Sequence, residues 1–361
     1  FFNASIGDAQ RLKDLTVDRA AGGVTFGSAD TATSGAAGPV NSVSTDGAID
    51  IGSGTTAADV ITGGIVLNGA ATGITFQTSS DTIRLNGPIT LNSDVNLDTV
   101  NADVTFTNDA SIDGQVGESN ALTIDAGTES VFFNENIGEN QSVGGIIVEQ
   151  ADSGVFFGTA ETETVNGDAG SVDIVRTNGD SDIGSVAAIA GDISLNAGSG
   201  AGDIFEWVTD GNSSRFNGVV KLDSSDVRIS SGASGGDVTF EDDLLPEVNE
   251  TVDLTLTAGT GNITFGDVVG TTILRFDDIT VVSAADVTAQ QAVETTTFTQ
   301  TNGTGTATFN GTLNTTDAAL PGIDINNSGI TFNGAVTTTG DGRVFLTNQG
   351  GTLTIAAGAT F

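Results

Sequence analysis

Phenylalanine recurs through this chain at a nearly constant step. Phe106, Phe132 and Phe156, then Phe240 and Phe265, then Phe309 and Phe332, follow one another at about 25 residues, a period that belongs to repeat architectures. Phe26 and Phe76 stand two such steps apart. Around them apolar residues alternate with Thr, Asn and Asp, as at Leu122/Ile124 and Leu254/Leu256. Period two is the signature of a strand that buries one face and wets the other. Such strands recur about every ten residues, with Gly, Asn, Asp or Ser between them. One aromatic step therefore holds about three short strands and three turns. A β-sandwich shares that strand spacing, but a constant aromatic step is what an all-β parallel β-helix (a solenoid) needs. Each coil then places like residues over like, with Phe stacked on Phe inside and Asn or Thr laddered at the turns. At about 25 residues per coil the chain has room for about 14 or 15 coils.

Longer repeats agree with this reading. "LTIDAGTESVFF" at 122–133 and "LTLTAGTGNITF" at 254–265 share one pattern, with looser copies "ISLNAGSGAGDIF" at 193–205 and "LTIAAGATF" at 353–361. A second unit reads "RFNGVV", "TFNGTL" and "TFNGAV", beginning at residues 215, 308 and 331. A third relates Ile6-Gly7, Leu15–Val17 and Val24-Thr25 to Val269-Gly270, Ile279–Val281 and Val287-Thr288. No domain boundary interrupts the pattern. The expectation is a single elongated rod over 1–361, with loop insertions near 28–58 and 241–250. Phe205 and Trp207 share a strand face with Asp203, which leaves Trp207, the only tryptophan, a candidate for exposure.

Composition narrows function by exclusion. The formal charge is −37, from 47 acidic and 10 basic side chains. Nucleic acid needs clustered cations, so it is not expected as a partner. The chain has no His and no Cys, which removes Ser-His and Cys-His catalysis, disulfides and zinc thiolate sites. No apolar run reaches membrane-spanning length, so insertion in a membrane is not expected. With 37% hydrophobic residues a core can form. The chain contains no Met, so a leader or a longer precursor is expected upstream, which fits export.

"GNITFGDVVGTTILRFDDITVVSAADVT" at 261–288 and "TFNGAVTTTGDGRVFLTNQGGTLTIAAG" at 331–358 resemble the repeats of large secreted bacterial β-strand-repeat proteins, the filamentous-haemagglutinin-like and autotransporter-like surface adhesins. The resemblance covers most of the chain. It implies a right-handed parallel β-helix at a cell surface.

Chemistry is sparse. Carboxylate pairs such as Asp277/Asp278, Glu161/Glu163 and Glu241/Asp242/Asp243 are abundant in a chain with this many acids, and read as solvated turns. "TNGDSDIG" places Asn178, Asp180 and Asp182 at alternate positions before Gly184, hard oxygens on a tight turn as calcium requires. No EF-hand is present, because Ile189 stands where a bidentate Glu belongs. A plain turn is the other reading of Asn178, Asp180 and Asp182, and no cofactor is expected unless that turn holds Ca2+. Nine Asn-x-Ser/Thr sequons, Asn140, Asn262 and Asn310 among them, make glycosylation chemically available.

The two ends of the chain are halves of one repeat. Joined tail to head they read LTIAAGATF-FFNASIGD, which matches "LTIDAGTESVFFNENIGE" at 122–139 with one residue missing. The expected assembly surface comprises Phe1, Phe2, Asn3 and Ile6 at one end and Leu353, Ile355 and Phe361 at the other. Coil would then meet coil head to tail in a contact that does not close on itself, or the chain is one period of a longer tandem polypeptide. The expected function is an extracellular or cell-surface structural protein, a filament, sheath or fibre with itself as partner, and not an enzyme. Two alternatives stand beside it: an adhesin whose loops, most plausibly 241–250, bind extracellular glycans, other cells or a surface protein, and a β-helical polysaccharide lyase or hydrolase.

Overall fold

Three-residue strands of the form apolar, Thr, apolar are the building block. Val24–Phe26, Val104–Phe106, Val238–Phe240 and Ile263–Phe265 each bury both outer residues and leave the central Thr half-exposed. A strand this short cannot hold itself, so each is clamped by parallel partners from neighbouring coils. The computed structural model describes residues 1–27, 40–53, 59–158, 170–198, 203–248, 250–316, 321–339 and 342–361. These fall into two compact units, Phe1–Gly198 and Ser199–Phe361.

In the first unit the chain visits three parallel sheets in rotation. One circuit runs Ile83–Leu85, Ile89–Leu91, Val95–Asp98, and returns at Val104–Phe106. There Val104 pairs in register with Ile83, Thr105 with Arg84 and Phe106 with Leu85. The second unit repeats the scheme: Ile204–Val208, Ser214–Phe216, Gly218–Leu222, then back at Asp226–Ser230, where Ile204 pairs with Asp226 and Trp207 with Ile229. The fold is thus the expected parallel β-solenoid with three strands per coil, at about 24 residues per turn and about eleven turns in all. The sequence-based count of coils is too high because some circuits are long. Leu15 pairs with Ile49, Ile49 with Ile83, and Val155 with Ile193, each pair well beyond one average turn.

Inside, aromatic rings stack as expected. In the first unit Phe106, Phe133 and Phe157 form a column with centroids 5.0 and 4.8 Å apart and nearly parallel planes. In the second, Phe216, Phe240 and Phe265 stack at 5.4 and 5.8 Å, and Phe309 and Phe332 at 5.5 Å. Ala289 pairs with both Phe265 and Phe309 and so separates the two columns. Each offset pair adds about 0.5–1.5 kcal/mol beyond burial. One register is corrected: Phe132 and Phe156 stack on each other at 5.1 Å, but on the half-exposed outer face. In "VFF" the inward positions belong to Val131 and Phe133, because alternation turns the middle residue out. Trp207 is also corrected. It is fully buried, donates from Nε1 to Ser214 Oγ at 3.0 Å and meets Phe216 edge-on.

The repeat "LTφxAGT" marks a corner and not a fixed place in the coil. In the first unit it joins Ala121–Gly127 to Ser130–Phe133, and in the second Asp253–Thr257 to Ile263–Phe265. The Leu122 and Leu254 strands lie in different sheets, yet the turn is the same. Ala126 and Ala258 are buried, and Gly127 and Gly259 both adopt φ of +59°. A Cβ on Gly127 would run into Val100 O, and one on Gly259 into Gly232 O.

Of the segment near 241–250, Asn249 lies outside the described residues, and a short strand stands at its centre. Leu244–Pro246 is a buried strand, with Val220 opposite Leu244 and Leu222 opposite Pro246. Proline fits because the following coil touches this strand only at Leu244, through Val269, so the missing N–H leaves no partner stranded. Of the segment near 28–58, residues 28–39 and 54–58 lie outside the described residues, whereas Ser42–Ser44 and Ile49–Ile51 are strands. Among the described residues the one helical element is the 3-10 turn Ala70–Thr72, and no helix is long and apolar enough to cross a membrane.

Candidate functional site

Asn178, Asp180 and Asp182 occupy one turn leading into the strand Ser181–Ile183. The turn is pinned from inside: the Thr177 hydroxyl donates to Gly179 O at 2.9 Å, and Asn178 N donates to Val143 O at 2.8 Å. Asp180 is exposed and Asp182 half-exposed, with the buried Ser181 between them, so their side chains leave the same face. Asn178 Oδ1 is buried without a hydrogen-bond partner.

Three other carboxylates converge more closely. Asp242, Asp243 and Asp267 bring one oxygen each within 4.8 Å of one another. Asp242 Oδ1 accepts from Asp243 N at 2.9 Å, and Asp243 Oδ1 accepts from Val268 N at 3.2 Å. Burial pushes the Asp243 carboxyl above the usual range, the neighbouring charges of Asp267 and Asp242 add to the rise, and Lys221 opposes it. Sequence reasoning singled out Asp242 and Asp243 but missed Asp267. Its signal is the coil step itself, since Asp267 follows Asp243 by one turn of the solenoid and so returns to the same corner.

The expected assembly residues are placed as follows. In the first unit Phe1 is 91% exposed, while Phe2 stacks on Phe26 at 4.9 Å and exchanges backbone hydrogen bonds with Thr25 and Gly27. Asn3 is exposed, and Ile6 bridges to Val43. In the second unit Leu353 pairs with Ile330 and Ile355 with Phe332. Ile330 and Phe332 are fully buried, whereas Leu353 and Ile355 are 45% and 49% exposed, and Phe361 meets Phe332 edge-on at 5.4 Å. Leu353 and Ile355 thus occupy core-facing positions on a coil whose outer side is open.

The outer corners carry polar ladders. Asn310 Nδ2 donates to Gln290 Oε1 at 2.8 Å, and Asn333 Nδ2 to Asn310 Oδ1 at 2.7 Å, one rung per coil. Asn262 spans Asp237 and Asp286 in the same way. The amides of the sequon residues Asn140, Asn262 and Asn310 are all engaged in such contacts. No family model, no curated protein and no solved structure matches this chain.

Proposed function

We propose that this chain is a non-enzymatic structural protein of the cell exterior, a segment or subunit of a β-solenoid fibre, sheath or surface rod. The observation that carries this reading is the half-exposed pair Leu353 and Ile355, which continue the core column above Ile330 and Phe332. Apolar residues in a core register, with unpaired strand edges beside them, suit the docking of another coil. That coil belongs to a second copy of the chain, or to further repeats of one tandem polypeptide, and the surface-adhesin resemblance agrees with either. The self-repelling charge of −37 keeps the sides of such a fibre apart. Calcium at Asn178, Asp180 and Asp182 belongs to the same proposal, and its absence would show as no heat on calorimetric titration.

Electron microscopy of the purified material together with intact mass tests this reading. Filaments are expected. Subunits near 36.1 kDa would indicate head-to-tail polymerisation, and a much larger mass the tandem form. Particles that stay single at high concentration, with the Leu353–Ile355 strand protected from hydrogen exchange, would overturn it.

A further inference from the structure

The first unit carries a cavity of about 460 Å³ lined mainly by polar side chains. One wall is a carboxamide ladder built by the coil register. Leu67 pairs with Leu91 and Leu91 with Gly114, so the residues that follow, Asn68, Asn92 and Gln115, stack one per coil. The backbone holds the rungs in place, with Asn92 N donating to Leu67 O at 2.9 Å and Gln115 N to Leu91 O at 3.2 Å. Ala71, Ser93 and Asn120 line the rest, together with two acids, Asp94 and Glu118. Their carboxylates are already turned to local donors: Asp94 Oδ1 accepts from Ala121 N at 2.9 Å, and Glu118 Oε2 from Asn120 Nδ2 at 3.0 Å. At the tip of the turn between Gln115 and Glu118, Val116 is 82% exposed.

We propose that this cavity binds a neutral saccharide lying along the ladder. The carboxamides of Asn92 and Gln115 each carry a donor and an acceptor in one plane, and vicinal hydroxyls present both in return. The rungs repeat at about 4.8 Å, close to the advance of one sugar ring along an extended chain. The volume falls in the range of ordinary small-molecule sites. An apolar ligand would strand the amides, which is costly. An anion would meet Asp94 and Glu118 with no Lys or Arg among the described lining residues. A bare cation would leave most of the space unfilled. Ala71, in the lining, supplies an apolar contact for the C–H face of a ring. No described lining residue is aromatic, so binding is weak, with a Kd on the order of 1 mM.

This site is independent of the fibre reading, and its test separates the two. Saturation-transfer NMR on the full chain, with maltotriose, cellotriose and triacetylchitotriose as probes, should give transfer to at least one of them. Asn92→Ala and Gln115→Ala should each weaken that probe about tenfold, with an unchanged thermal midpoint. Calcium should not compete, and a sulfated trisaccharide should show no transfer. The proposal is overturned by no transfer from any neutral probe up to about 10 mM, by transfer that both variants leave intact, or by competition from calcium.

Discussion

The two units solve one register problem with different amounts of chain. In the second unit the circuits stay within a few residues of one average turn: Val238 pairs with Ile263, Ile263 with Val287, Val287 with Ala307 and Ala307 with Ile330. In the first the spread is wider. Ile83 to Val104 is a short circuit and Val104 to Val131 a longer one, while Leu15 to Ile49 and Val155 to Ile193 are longer still. All four return the chain to the same sheet with the same side chains inward. Pairing is therefore set by the inward triplets, whatever the length of chain between them. A surface corner can lengthen at little entropic cost, whereas a slip of one residue in a triplet would turn every core side chain outward.

The largest expected effect tests whether the two cores are equivalent. Phe133→Ala in the first unit and Phe265→Ala in the second should each cost about 3–5 kcal/mol, because both rings are buried within stacks. Phe132→Ala, one residue away on the outer face, should cost far less. Denaturant titration followed by circular dichroism measures all three. Equal losses at Phe132 and Phe133 would show that the inward register is misplaced.

Next comes the shared corner. Gly127→Ala and Gly259→Ala should each cost about 1–3 kcal/mol, since both need positive φ and both face a backbone carbonyl. Similar losses in both units would confirm one turn used at two different corners, and thermal unfolding of the two variants reads this directly. A polar rung should matter less. Asn310→Ala removes both ladder contacts, at about 0.5–1.5 kcal/mol, again from the shift in denaturant midpoint.

The smallest effect concerns pH and separates the units. Burial, with neighbouring acids, raises the carboxyls of Asp223, Asp243 and Asp253 in the second unit, and that of Glu135 in the first. An acid whose folded pKa lies above its unfolded value takes up protons on folding, so stability rises as pH falls into the window between the two. From neutrality to about pH 5 the thermal midpoint should therefore rise slightly. The rise should be larger when followed by Trp207 emission, which reports the second unit, and smaller in Asp253→Asn. A midpoint that falls over that range would contradict this.

Much of the fold could be read from the sequence, because the aromatic step and the alternation are direct images of coil and pleat. Phe132 and Phe133 show where that legibility ended. Adjacent aromatics satisfy the step equally well, and only Val131 on one side decides which ring goes in. Pro246 hides its strand in another way. Proline suits a strand only where the next coil asks nothing of its N–H, and that shows only in the single bridge from Leu244 to Val269. The candidate sites were less visible for a related reason. Asp267 beside Asp243, and Asn68, Asn92 and Gln115 in one row, are neighbours only once each coil is aligned on the next.

That alignment also bears on how the protein folds. Ladder contacts join residues roughly one turn apart, about 24 residues in a chain of 361, which corresponds to a relative contact order of about 0.07. Values that low are typical of helical bundles, which fold within microseconds to milliseconds, whereas parallel sheets are generally slow. Here the sheet is parallel but its closures are short. Once two coils have met, each further coil adds a small loop to a finished edge, and the search for distant strands that slows other β proteins is largely absent.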